Sequence, residues 1–171
     1  MEQIVEAASL AIDEDGLAKL SMRRLGARLG VDPMAIYHHI DDKQELLALV
    51  LARVLSEIPA VDQEQPWAAQ VREWAVAYWE VARRHREVIG AALADPVISR
   101  GSLRSIEPLT GALSESGLAP ALVEPAAFLV VDFVHGSALS GVATQRSDDL
   151  QVWFEQGLDL VIAGVEATAG R

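Results

Sequence analysis

There is no cysteine among these 171 residues. That absence removes disulfides, thiolate nucleophiles and cysteine-ligated zinc together. Catalytic signatures are missing as well: no serine sits in a nucleophile elbow, no glycine loop of the phosphate-binding kind occurs, and there is no His-Glu-x-x-His. His38 and His39 are adjacent, so on a helix they point in different directions. The expectation is no enzyme, with no catalytic residue, no metal and no cofactor. Strand-like alternation and hairpin turns are absent too, as are internal repeats and low-complexity tracts. The start, MEQIVEAAS, is acidic and amphipathic and lacks the basic-then-apolar order of a secretory signal. The most apolar stretch, Ala126 to Ala143, is broken by Asp132, His135 and Gly136, which argues against a membrane span. An all-α, cytoplasmic protein with no membrane partner is expected.

What is present is a large apolar fraction, 51%, and a formal net charge of −11. Such a charge argues against nucleic acid as a partner. Its distribution does not, because four bases fall between Ser21 and Lys43 against only Asp32, Asp41 and Asp42. That stretch, SMRRLGARLGVDPMAIYHHIDDK, reads as two short helices joined by a tight turn. Leu25, Leu29, Val31 and Ile36 are the apolar positions through which the two helices pack. Gly26 is small where they approach, and Gly30 stands where a left-handed residue ends the first helix. Ser21 caps the first helix and Asp32 the second, with Pro33 in its first turn. This is the pattern of a helix-turn-helix, whose second helix enters the DNA major groove. That helix, Pro33 to His39, presents Met34, Ala35, Tyr37 and His38 and carries no cation. The cations flank it as Arg23, Arg24, Arg28 and Lys43, which suits a division between phosphate and base-edge contacts. A helical hairpin that only packs, with solvated arginines, fits the same spacing.

Two strings decide between these readings. IYHHIDDKQELLALV and IVEAASLAIDEDGLAKLSMRRLGARLGV, together about residues 4 to 50, resemble the N-terminal domain of the TetR family of bacterial transcriptional repressors. The resemblance implies that Arg23 meets a base or phosphate and that Tyr37 and His39 anchor the recognition helix. It also implies that Lys43 meets a phosphate at the start of the next helix. His38 stands where many relatives carry another aromatic. The expected DNA-binding surface is thus Ser21, Arg23, Arg24, Pro33, Met34, Ala35, Tyr37, His38, His39 and Lys43.

Around this stretch, residues 2 to 13 read as a helix ended by Asp13-Glu14-Asp15 and Gly16, an acidic cluster expected to be a solvated turn. Lys43 to Ile58 reads as a fourth helix ended by Pro59. Trp67 to His85 forms a fifth, with Trp67, Val71, Trp74, Tyr78 and Val81 on one face and closed by Arg83, Arg84, His85 and Arg86, a basic run that suits a helix C-terminus or else a second DNA contact. Val88 to Ala94, Arg100 to Ser116, Ala121 to about Ala143 and Asp148 to about Ala167 follow, giving about nine helices. The expected division is a DNA-binding domain at 1–45, a connecting helix and linker at 46–65, and a regulatory and dimerisation domain at 66–171.

The last helix bears a wide apolar stripe with no later chain to cover it, and the one before it is dense in small residues from Gly136 to Gly141. A second copy is the expected cover, through Gly136, Ser140, Trp153, Phe154, Leu158, Val161, Ile162 and Val165, as a four-helix interface. The segments Trp67…Tyr78…HREV, FVHG and WFEQGLDLVIAGVEA are similar to the C-terminal domain of the tetracycline-repressor branch. That resemblance implies a homodimer holding a small-molecule effector in each body. Its magnesium-binding histidine corresponds here to Ala92 and its drug-gripping asparagine to Trp74, so tetracycline with magnesium is not the expected effector. Trp74, Tyr78, Phe128, Asp132 and His135 are the expected effector-binding residues, because aromatic walls with a few polar groups make small-molecule sites. Asp132 and His135 share a helix face, either lining that pocket or forming a satisfied buried pair. The function expected is a repressor that binds double-stranded operator DNA as a homodimer and is released by its effector. The alternative is a non-catalytic helical interaction protein whose helix-turn-helix no longer binds DNA.

Overall fold

The computed structural model describes residues 1–102, 104–140 and 150–170. These are all-α, without a strand among them, and form ten α-helices where about nine were expected. The chain divides into two compact units, Met1–Glu57 with His85–Arg104, and Ile58–Arg84 with Ser105–Arg171.

The first unit begins with α1 (Glu2–Asp15), a single 3-10 turn (Leu17–Lys19), α2 (Met22–Leu29), α3 (Pro33–Tyr37) and α4 (Lys43–Leu55). Local chemistry sets these boundaries. The Ser21 hydroxyl accepts from the Arg24 amide at 3.3 Å, the Asp32 carboxylate from the Met34 amide at 2.8 Å, and the Asp42 carboxylate from the Glu45 amide at 2.8 Å. Each oxygen satisfies a donor that the first helical turn leaves unpaired. Glu45 reaches back to the Asp41 amide at 2.5 Å. Gly30 adopts φ 69°, the left-handed conformation that ends α2 without a Cβ penalty. A Cβ on Gly26 would stand 2.9 Å from the Val31 carbonyl oxygen and 3.2 Å from the Pro33 nitrogen, both backbone atoms of the turn. The α2–α3 turn therefore closes over a bare Cα.

Leu25, Ile36 and Ile40, with Leu46, Val50, Leu51 and Val54 of α4 and Ala8 of α1, are buried in the core of this unit. Val31, expected in that core, is instead 44% exposed. α4 stops at Leu55, three residues short of expectation. Pro59 disfavours helical backbone at Ile58, and the Ser56 hydroxyl takes the Arg53 carbonyl at 2.6 Å. The unit is completed by α6 (Arg86–Ala94), α7 (Pro96–Ser99) and a 3-10 turn at Arg100–Ser102, all against α4. α7 follows Asp95-Pro96, where the sequence signals only the end of α6; the Asp95 carboxylate caps it at the Val97 amide, 2.8 Å away. The expected split at 46–65 and 66–171 thus differs from the compact units. α4 belongs wholly to the first, and residues 85–104 return to it.

The second unit holds α5 (Trp67–Arg84), α8 (Glu107–Ser114), α9 (Pro120–Leu139) and α10 (Leu150–Ala169). α8 starts at Glu107 and not at Arg100, because Pro108 lacks an amide hydrogen and fits only the first turn of a helix. The expected end of α9 at Ala143, the start of α10 at Asp148 and the small residue Gly141 fall in 141–149, outside the described residues. α9 is long and apolar enough to cross a membrane, yet Ala127, Val130, Val134 and Ala138 are buried on its inner face. It packs on α5, α8 and α10.

Gly26→Ala is the sharpest test of the turn, because backbone atoms cannot swing aside as a side chain can. It should cost about 1–3 kcal/mol, as overpacking of a tight site does. An unchanged urea midpoint and slope would show that the α2–α3 approach is looser than described.

Candidate nucleic-acid interface and buried polar cluster

α2 and α3 form the expected helix-turn-helix. Ile36 and Ile40 point inward, while Met34, 62% exposed, stands outward with Ala35, Tyr37, His38 and His39. α3 is one short turn, and its only polar anchor is the Asp32 cap. Pro33 is half-buried beside Gly26. Ser21 is exposed, with its hydroxyl already committed to the cap of α2.

The cations divide differently from expectation. Arg28 grips Glu14 with two nitrogens, at 2.7 and 3.0 Å, and Arg24 pairs with Asp15 at 3.1 Å. The Arg28 hydrogen bond, and then its charge, hold the Glu14 carboxyl below the usual carboxylate range. The acidic cluster, expected to be a merely solvated turn after the first helix, instead forms the last turn of α1 and supplies the counter-charge of α2. Only Arg23 of the three arginines forms no ion pair among the described residues. Lys43 is half-buried and donates to the Leu20 carbonyl at 2.8 Å. That bond uses one of its three donors and ties the start of α4 to the entrance of α2.

In the second unit the five expected effector residues do not converge. Trp74 and Tyr78, both buried, form a cluster with the half-buried His135. The Trp74 indole donates to the Ser105 carbonyl at 3.1 Å, and the Trp74 and Tyr78 ring centroids are 5.0 Å apart. The Tyr78 hydroxyl lies 2.5 Å from Nε2 of His135. Burial pushes the Tyr78 phenol well above its ordinary value. It keeps its proton and can donate to Nε2. Burial also lowers the His135 pKa, against an opposing pull from Asp132. Nδ1 of His135 is inaccessible and makes no hydrogen bond. Phe128, 48% exposed, and Asp132 lie on the outer face of α9 instead. Helical spacing put them near His135 in sequence, but α9 rotates them away from α5.

A cavity of about 500 Å³ lies between α9 and α10, lined by Leu118, Leu122, Pro125, Leu129, Leu160 and Val161 among others. None of the five expected effector residues lines it.

The expected dimer stripe is also divided. Phe154, Leu158, Ile162 and Val165 are buried within their own unit. Phe154 stacks between Trp79, 4.8 Å away, and Phe133, 5.5 Å away. α5 and α9 cover these residues, so a partner has no access to them. Gly136, Ser140 and Trp153 are exposed, and Val161 is half-buried. The outward apolar residues that the sequence reading omitted from this surface are Leu122, Leu129, Val152 and Leu160, the last 76% exposed. Their signal is a spacing of about two helical turns, Leu122 to Leu129 on α9 and Val152 to Leu160 on α10, away from the buried face.

The family described as bacterial regulatory proteins, tetR family, matches residues 4–50. The crystal structure of BioQ from Mycobacterium smegmatis is 30% identical, covers 98% of this chain and 98% of its own, and superimposes with a TM-score of 0.83. BioQ has also been solved with its double-stranded DNA operator. ActR from Streptomyces coelicolor is 28% identical over 99% of this chain and 95% of its own, with a TM-score of 0.84, and has been solved with actinorhodin. The transcriptional repressor DrrR1 of Streptomyces coeruleorubidus is 29% identical over 91% of this chain, which spans 61% of that relative's length.

The Tyr78–His135 pair has a pH signature. A histidine whose native pKa is lowered binds its proton more readily in the unfolded chain. Its contribution to stability is therefore complete at neutral pH and is lost as pH falls through the unfolded value of about 6.5. The stability advantage of wild type over His135→Gln in urea should shrink as pH drops from about 7.5 to 5.5. A difference that stays constant would mean that His135 is not held neutral by burial. Tyr78→Phe should cost about 0.5–1.5 kcal/mol at neutral pH.

Proposed function

The chain belongs to the TetR family of bacterial regulatory proteins, and from that premise we propose that it is a repressor that grips operator DNA as a homodimer and releases it on binding a small molecule. The observation that carries the DNA half is the outer face of α3. Met34, Ala35, Tyr37 and His38 stand exposed on a helix whose inner side is fixed by Ile36 and Ile40. Short and aromatic side chains suit contact with base edges and thymine methyls, and an unpaired Arg23 beside them suits a phosphate. That BioQ has been solved on its operator supports the same use here. An acidic chain then has a purpose: it is repelled by DNA everywhere except at this face.

The salt dependence of binding to a duplex selected from random-sequence DNA tests this reading. Arg23→Ala should weaken binding across sequences and reduce the salt slope by about one. Arg28→Ala should leave the slope nearly unchanged, because Glu14 already neutralises that charge. Tyr37→Ala should alter which sequence is preferred. A protein that selects no duplex at low salt is an interaction module with a silent helix-turn-helix.

For the dimer, the supporting surface is the outer side of α9 and α10, where Leu122, Phe128, Leu129, Val152, Trp153 and Leu160 stand exposed. Exposed Gly136 and Ser140 would let a second α9 come close. Two such helices meeting their copies make a four-helix interface, and obligate interfaces bury upwards of about 2,000 Å². Leu160→Glu should yield a folded monomer that has lost operator binding. Ile162→Asp should instead unfold the second unit, since its side chain is buried at home. Wild-type protein that sediments as a monomer would overturn the dimer.

For the effector, the strongest support is the Trp74–Tyr78–His135 group with its unsatisfied Nδ1. Proton placement on Nδ1 would suit a mainly apolar ligand bearing an acceptor oxygen. ActR, a relative, has been solved with the small molecule actinorhodin, which supports an effector here. Release requires tighter ligand binding to the DNA-incompetent state, and coupling of about 1–3 kcal/mol would weaken the DNA complex roughly 5- to 150-fold.

A further inference from the structure

One buried titratable group belongs to neither the reading face nor the aromatic cluster. His85 is the residue at which the chain re-enters the first unit, and it precedes α6 as its N-cap. It is 6% exposed. Its ring lies between two carboxylates that approach opposite nitrogens. Nε2 is 3.2 Å from the carboxylate of Glu57, just past the end of α4. Nδ1 is 3.4 Å from Oδ1 of Asp13, in the last turn of α1. In this geometry Nδ1 is inaccessible and makes no hydrogen bond.

A neutral imidazole has a single N–H, so its other nitrogen turns a lone pair toward a carboxylate. A protonated ring has one N–H for each. Arg84, Arg86 and Glu87 are the charged residues beside it along the chain. Glu87 is already engaged, accepting from the Leu17 amide at 2.5 Å, where α1 gives way to the 3-10 turn. The start of α6 is thus fastened to the end of α1 through both His85 and Glu87, and to the end of α4 through His85. α1 and α4 precede and follow the helix-turn-helix, and α1 packs on both α2 and α4.

We propose that His85 is a positioning residue for DNA binding: as an imidazolium it ties Asp13 to Glu57, fixing α1 against α4, and losing its second proton loosens both ends. This rests on the DNA-binding reading above. The bridge needs the proton. With one N–H facing each carboxylate it is complete, and it weakens when the ring gives up that proton. Two further histidines, His38 and His39, lie on the reading face, so the pH profile of the wild type alone does not isolate His85. The difference between wild type and His85→Gln does, because glutamine can donate to a carboxylate but cannot take up a proton.

The experiment measures binding of the full chain to its selected duplex from about pH 5.5 to 8 for wild type, His85→Gln and Asp13→Asn. Relative to His85→Gln, wild type should lose about 5-fold or more in affinity across that range, and Asp13→Asn should lose less. In the free protein, NMR should show the His85 ring titrating in step with the backbone amides of Asp13 and Glu57. Superimposable pH profiles for wild type and His85→Gln overturn the proposal, and so does a ring that titrates without moving either amide. If His85→Gln does not fold, the Asp13→Asn profile and the ring titration still decide. If no duplex binds at any pH, the DNA-binding reading fails and the positioning role falls with it, while the ring titration separately shows whether the bridge forms.

Discussion

Burial of one broad face of α4 is the constraint from which the first unit follows. Leu46, Val50, Leu51 and Val54 are each at most 1% exposed. α1 takes one side, and α6 with α7, which arrive only after the chain has made α5, takes another. Each such side chain contributes about 1.5–3 kcal/mol when fully buried. The short α3, too short to hold itself helical in water, keeps its angle because Ile36 and Ile40 are anchored in that core.

Electrostatics then decides what this scaffold shows to a polyanion. An arginine on a surface helix is free to contact phosphate only if no nearer carboxylate claims it. Glu14 and Asp15 claim two of the three on α2, and a backbone carbonyl claims part of Lys43. These exposed pairs add little to stability. Their effect is to leave Arg23 as the arginine of α2 without an ion pair among the described residues.

The helix-turn-helix was legible because its determinants are local. Ser21, Gly26, Gly30, Asp32 and Pro33 each act within a few residues, and caps and tight turns can be read from such neighbours. The return of residues 85–104 was not legible, since no local feature says which helix will cover α4. The Glu14–Arg28 and Lys43–Leu20 contacts join residues that only the fold brings together. Periodicity correctly gathered Phe154, Leu158, Ile162 and Val165 onto one face of α10. It could not say whether that face met its own chain or a second copy, and their own α5 and α9 won. Pro108 did carry a readable boundary, and the helix drawn through it from Arg100 ignored the missing amide hydrogen.

All four tryptophans, Trp67, Trp74, Trp79 and Trp153, fall in the second unit. Two of them are environmentally marked: Trp79 stacks on Phe154 with the Arg83 guanidinium 4.5 Å from its ring centroid, and Trp74 is sealed beside Tyr78. Indole emission consequently has no reporter in the half that holds the helix-turn-helix, whereas far-ultraviolet circular dichroism sums the helices of both. The two spectroscopies therefore observe different objects. Any gap between their melting curves measures how independently the halves come apart, a quantity that neither signal contains alone.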